Sequence, residues 1–261
     1  MRLFAPLNPP LPAWRNAKVW IIGASTGIGA ATAQRLLEAG AKVALSARSE
    51  DKLREVATNS PDAMILPLDF TDTPAVARAW DTLRAAWGAI DLVLVVAGTH
   101  QEMRAWELNE RDSRALLEIN LHAPVNTTGV VMPALLAQGH GAIGIVASVA
   151  GYRGLPKALV YGASKAALVN FTETLYFDLH PKGFGVYLVM PGFVRTPLTD
   201  RNDFAMPNLI SADEAADAIV SGLRNGDFEI HFPRVFTRKM KLLRLLPYRA
   251  YFFLIRKITG L

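Results

Sequence analysis

Apolar residues along this chain fall into two alternating patterns. Short runs rich in Val, Ile and Leu (KVWIIG, KVALSA, AMILPL, DLVLVVAG, AIGIVAS, GVYLVMPG and FEIHF) read as buried strands. Between them, stretches 30–39, 75–87, 111–136, 157–179 and 212–223 carry helical periodicity, and the run after the second strand reads as a further helix that includes Lys52. Strand and helix alternating over about 230 residues predict a parallel sheet covered by helices on both faces. The fold class is therefore α/β, a Rossmann-type doubly wound sheet in one domain. We read 1–232 as the core unit, with 1–16 as an N-terminal extension, and 233–261 as a helical tail.

Composition sharpens this picture in two places. Apolar residues make up 51% of the 261 and charged residues 20%, the profile of a packed globule. With no cysteine, disulfides and thiolate metal sites are excluded, and a reducing compartment is permitted. The five histidines show no metal-ligand spacing, so no metal is expected.

The net charge of +5 is unevenly placed: eight of the 28 Lys and Arg lie from residue 231 onward, where there is no Asp or Glu. The body is thus slightly acidic and the tail supplies the whole excess. A nucleic-acid binder is not expected, because the one basic segment is also greasy. The N-terminal stretch is broken by prolines and holds no apolar run suited to a signal peptide. The longest uncharged run of the tail is 250–255, far below the roughly 20 residues of a membrane span.

On a helix, Phe236, Met240, Leu242, Leu243 and Leu246 of the tail fall mainly on one side, and Arg238, Lys241 and Arg244 on the other. Pro247 then breaks the chain, and a second segment sets Arg249, Arg256 and Lys257 on one side. Such a pair suits an anionic membrane surface; packing on the body or on a neighbouring subunit is the competing expectation. Localisation is read as cytoplasmic, with the inner face of a membrane as a peripheral site.

Candidate chemistry sits at the carboxyl ends of the strands, where ligands of open α/β sheets bind. The first strand runs into GASTGIG, a glycine turn, and then a helix. Gly23 lets the chain leave the strand sharply, and Gly27 and Gly29 clear side chains from a close approach. Backbone N–H groups around Ile28 then point at a phosphate, and Ser25 and Thr26 add hydroxyls. Arg48 ends the second strand, where an NAD site usually has a carboxylate. A guanidinium matches a phosphate, so NADP(H) is expected over NAD(H).

The spacing Gly-x-x-x-Gly-x-Gly, followed by Ser148 thirteen residues before Tyr161 and by Lys165 in VYGASKAAL, resembles the short-chain dehydrogenase/reductase family over nearly the whole body. Asn120 in LLEINLHAP matches that family's helical asparagine. The resemblance implies catalytic roles for Asn120, Ser148, Tyr161 and Lys165. It implies cofactor contacts at Asp69 and Phe70 (adenine), Ala97 and Gly98, Tyr161 and Lys165 (ribose), and Pro191, Gly192, Val194 and Thr196 (nicotinamide). The chain departs from the pattern at Val95 and Val96, where the family has asparagine, and at Ala147, where it has serine.

The chemistry explains the residue types. A free phenol, pKa ~10, is a poor proton donor at neutral pH, and an adjacent ammonium favours the phenolate. Tyr161 is then the acid in ketone reduction and Ser148 steadies the substrate oxygen, while the resemblance implies that Asn120 anchors a water. The expected function is an NADP(H)-dependent oxidoreductase acting on a ketone or secondary alcohol. A non-catalytic NADP-binding sensor or scaffold is the alternative. Leu198, Phe204, Met206 and Leu209 would form a lipophilic substrate wall, and the resemblance favours a homodimer or homotetramer.

Overall fold

The computed structural model describes residues 5–201 and 206–260. Strands β1 (Lys18–Ile22), β2 (Lys42–Ser46), β3 (Ala63–Ile65), β4 (Leu92–Val95), β5 (Ala142–Val146), β6 (Gly185–Pro191) and β7 (Glu229–Phe232) form one parallel sheet in the order β3-β2-β1-β4-β5-β6-β7. Along β1, Trp20 and Ile22 face one helical layer while Val19 and Ile21 face the other, and all four are buried. This double burial is why the strands read as unbroken apolar runs.

Helices α1 (Gly27–Glu38) and α2 (Glu50–Ala57) cover the Ile21 side through Leu36 and Leu53. Helix α3 (Thr73–Trp87) covers the Trp20 side, stacking Trp80 on Trp20 at 5.8 Å. Strand β3 is shorter than its apolar run. Pro67 has no N–H to donate, although Leu66 and Leu68 still donate to the carbonyls of Leu45 on β2 and of Ala47 just beyond it.

The stretch 111–136, expected as one helix, is split. Helix α4 (Glu110–Leu117) passes through a π-helical turn at 118–122 into α5 (Ala123–Gln138). Helix α6 (Leu159–Leu179) and α7 (Ala212–Asn225) complete the layers. The strand order reverses between β1 and β4, so the ligand crevice lies beyond their carboxyl ends.

The tail forms α8 (Arg234–Arg244) and α9 (Tyr248–Thr259), broken at Pro247. Following β7 directly, α8 starts at the carboxyl edge of the sheet. Its apolar side is not free: Met240 is buried in the main core, and Phe236 and Leu243 pack against it. Leu242, expected on the same side, is 66% exposed.

The basic side is divided as well, because Lys241 pairs with Glu229 on β7, which also accepts from the Tyr152 hydroxyl. On α9, Tyr251 and Ile255 turn inward. Arg153 binds the junction of the two helices. Its Nη1 donates to the carbonyls of Leu243 and Leu246, and its guanidinium lies 4.0 Å from the Tyr251 ring. Among the described residues no helix is long and apolar enough to cross a membrane.

Candidate active site

The glycine turn after β1 is a cradle with no room for side chains. A Cβ on Gly23, whose φ is +94°, would stand 2.5 Å from Ala97 N, and one on Gly29 only 2.0 Å from Gly23 O. A Cβ on Gly27 would meet Thr196, so the turn faces the loop after β6 across a narrow gap. Thr26 precedes α1 without a side-chain capping bond, which leaves the helix N-terminus, around Ile28, open to an anion. Ser25 lies on the same turn.

At the end of β2 the Arg48 side chain is exposed. It is close enough to Asp69 to help hold that carboxyl below its ordinary value, after the larger effect of the Thr71 N–H. Phe70 follows, half-buried against the main core. These residues fit a pyrophosphate at α1 and an adenosine moiety between the ends of β2 and β3, with a cation available for a further phosphate.

Beyond β4, Val96 and Ala97 both donate their N–H to Ile22 O, at 2.8 and 2.9 Å, so the β1–β4 junction is bonded through backbone at the position of the missing asparagine. Gly98 follows at the point of closest assembly. A Cβ there would stand 3.3 Å from both Asn120 Oδ1 and Lys165 Nζ. Asn120 is buried in the π-helical turn and binds Thr99 twice, accepting from its N–H and donating to its carbonyl at 2.8 Å each. Single π turns recur at functional sites, and here the turn carries the inward-facing asparagine.

Ser148 lies two residues beyond β5 and is buried. The chain after it turns at once through a 3-10 segment, 149–151, that lies on α6. Two glycines allow that contact. A Cβ on Gly151 would stand 2.7 Å from the Lys165 carbonyl, and one on Gly162 would stand 3.3 Å from Ala150 O. As a result the Ser148 hydroxyl comes close to that of Tyr161. Burial pushes the Tyr161 phenol above its ordinary value, and the nearby Ser148 hydroxyl offsets only part of that rise. Lys165 is buried one turn along, its Nζ donating to Val146 O at 3.2 Å and lying 5.9 Å from the Tyr161 ring centre.

The loop after β6 is pinned internally. Thr199 Oγ1 donates to Val194 O at 2.7 Å and accepts from the Thr196 N–H at 2.9 Å, while Arg195 N bonds Ile210 O. Pro191 is buried and Gly192 donates to Phe232 O. Phe236 of α8 lies against both Gly192 and the ring of Phe193, 5.2 Å away, so the tail borders this end of the site. Leu198, Met206 and Leu209 are half-buried; Phe204 lies outside the described residues.

His100, which follows Gly98 closely in the sequence and so could be expected either near the substrate or as an ordinary loop residue, sets its ring edge-on to Tyr161 at 4.6 Å, and burial keeps its imidazole below the ordinary range. Two elements of this geometry escaped the sequence. Gly151 and Gly162 look like common glycines until α6 and the serine turn are packed together.

Lys165 supplies a test by pH. Burial lowers its pKa from 10.5 to about 8. Below about 8 the lysine is charged in both folded and unfolded chains, and the folded state carries the full desolvation cost. As pH rises from 8 toward 10.5 the unfolded lysine alone stays protonated, so the cost fades. In the absence of nucleotide, Lys165→Met is expected to be more stable than the parent near pH 7, by on the order of a few kcal/mol, and so to melt higher. The advantage should shrink toward pH 10; an equal gap in melting temperature at both pH values would show that Lys165 is not desolvated.

A family model described as short chain dehydrogenase matches residues 17–205. An uncharacterized oxidoreductase of Myxococcus xanthus is 31% identical over 231 residues, covering 87% of this chain and 91% of the relative. The 11-beta-hydroxysteroid dehydrogenase-like 4A protein of Arabidopsis thaliana is 34% identical, over 81% of this chain and 75% of its own. Among solved structures, a short chain dehydrogenase from Burkholderia cenocepacia in complex with NADP superposes with a TM-score of 0.80 at 28% identity, covering 92% of this chain and 97% of that one.

Proposed function

The chain belongs to the short-chain dehydrogenase family, an oxidoreductase family, and from that premise we propose that it is an NADP(H)-dependent enzyme interconverting a lipophilic ketone and its secondary alcohol. The observation that carries this reading is the Ser148–Tyr161 hydroxyl pair beside buried Lys165, at the strand ends next to the glycine cradle. NADPH bound in the cradle supplies the hydride in reduction.

Tyr161 gives its phenolic proton to the carbonyl oxygen, while Ser148 donates a hydrogen bond to the same oxygen as negative charge grows there. The Lys165 ammonium favours the phenolate that Tyr161 becomes, offsetting the effect of burial. Asn120, held by Thr99, positions a water that returns a proton to the pair. In oxidation the same phenolate takes the alcohol's proton.

NADP(H) is favoured over NAD(H) by exposed Arg48 at the end of β2, where the 2′-phosphate of the adenosine ribose would lie. The solved relative bound to NADP supports the same choice. Arg48→Asp is expected to lower kcat/KM with NADPH by about tenfold to a hundredfold and to spare or improve it with NADH. An unchanged ratio of the two efficiencies would make Arg48 a surface charge only. The overall activity is tested by NADPH consumption over a panel of lipophilic ketones, with turnover expected on at least one class. We further place the enzyme in the cytoplasm or peripherally at the inner face of a membrane. It would work as a homodimer or homotetramer through the long helices carrying Asn120 and Tyr161.

A further inference from the structure

We propose that the outward face of α8 and α9 is a docking surface for a bilayer containing anionic lipid. This rests on the peripheral placement given above and not on the catalytic assignment. With Met240, Thr237, Tyr251 and Ile255 turned inward, a second apolar set is left outside. Leu242 on α8 and Leu245 just past its end are 66% and 79% exposed, and on α9 Phe252 and Phe253 are 56% and 70% exposed. Exposed cations lie among them: Arg238 and Lys239 on α8, and Arg249, Arg256 and Lys257 on α9. Arg249, Phe252, Phe253, Arg256 and Lys257 line one open groove.

Two observations select the occupant. The segment 231–261 has no acidic residue, so the face is cationic throughout. A second copy meeting it across a two-fold axis would set these cations against their own kind, which disfavours a subunit interface here. A lipid surface complements both components. Phosphates accept from the guanidinium and ammonium groups, while leucine and phenylalanine enter the boundary with the acyl chains.

The face is also held in shape. Arg153 ties the α8–α9 junction to the turn after Ser148, and the Tyr251 hydroxyl donates to Gly154 O at 2.7 Å. Since Phe236 lies on Gly192 and Phe193, the docked helices adjoin the candidate active site. A carbonyl compound dissolved in the bilayer is the substrate class this arrangement suits.

The full chain is sedimented with vesicles of phosphatidylcholine alone and of an equal mixture of phosphatidylcholine and phosphatidylglycerol. Binding is expected only to the mixed vesicles and should weaken as salt is raised. The double variants Arg249→Glu/Lys257→Glu and Phe252→Ser/Phe253→Ser are each expected to weaken it by on the order of tenfold or more, with NADPH affinity and sedimentation as a free protein unchanged. Circular dichroism confirms that each variant is folded, and the two pairs are independent probes of one face. The proposal is overturned if the parent ignores the mixed vesicles or if both folded variants bind like the parent. It is equally overturned if the variants dissolve an oligomer, which would assign the face to a second copy of the chain. NADPH affinity is read separately, so failure of docking and failure of the enzymatic reading are distinguishable.

Discussion

Tyr161→Phe is expected to lower ketone reduction by about 10²–10⁴-fold, the usual loss when a general acid is removed. NADPH affinity should stay close to the parent's. The substitution keeps the ring, and with it the edge-on contact to His100 and the packing beside Met103, Leu116 and Val160. What disappears is one buried hydroxyl beside Ser148, a change of about 1 kcal/mol at most to the fold. Steady-state turnover and a nucleotide titration on the same preparation separate the two effects. Wild-type turnover in the phenylalanine variant would place the proton donor elsewhere.

Gly151→Ala should lose activity without altering any group that touches substrate. Its methyl would stand 2.7 Å from the carbonyl carbon and oxygen of Lys165, inside contact distance to backbone that cannot rotate away. The serine turn must then lift from α6, parting Ser148 from Tyr161. A displacement near 1 Å costs about 10²-fold in rate, and overpacking of this kind costs about 1–3 kcal/mol in stability. Both are measurable, the first as kcat and the second by thermal melting. A variant with parental kcat would mean that the turn's position does not govern the serine.

The sheet was legible because its strands are buried on both faces, so β1, β4, β5 and β6 stand out as unbroken apolar runs. The split of 111–136 was not. A π turn adds one residue to a helix without disturbing the apolar pattern on either side, so nothing marks it until Asn120 is seen facing Thr99. Chemistry-bearing residues could be located along the chain because their spacing within single elements is short. The packing that joins them depends on Gly98, Gly151 and Gly162, whose missing Cβ matters only against partners far away in sequence. In the tail, periodicity and Pro247 defined two helices. It did not show which side meets the body, because α8 and its cap are apolar on both: Phe236, Met240 and Leu243 inward, Leu242 and the capping Leu245 outward. Arg153, the residue that orders them, carries no sequence signal at all.

The most direct test of the central claim follows the hydride itself. NADPH deuterated at the transferable position of the nicotinamide is incubated with the protein and a panel of lipophilic ketones, and the alcohols are examined by mass spectrometry. The account predicts an alcohol carrying one deuterium at the former carbonyl carbon, formed by the parent and at most in traces by Tyr161→Phe. Tight NADPH binding with no deuterium reaching any ketone of the panel would contradict it and leave a nucleotide sensor or scaffold as the reading of this fold.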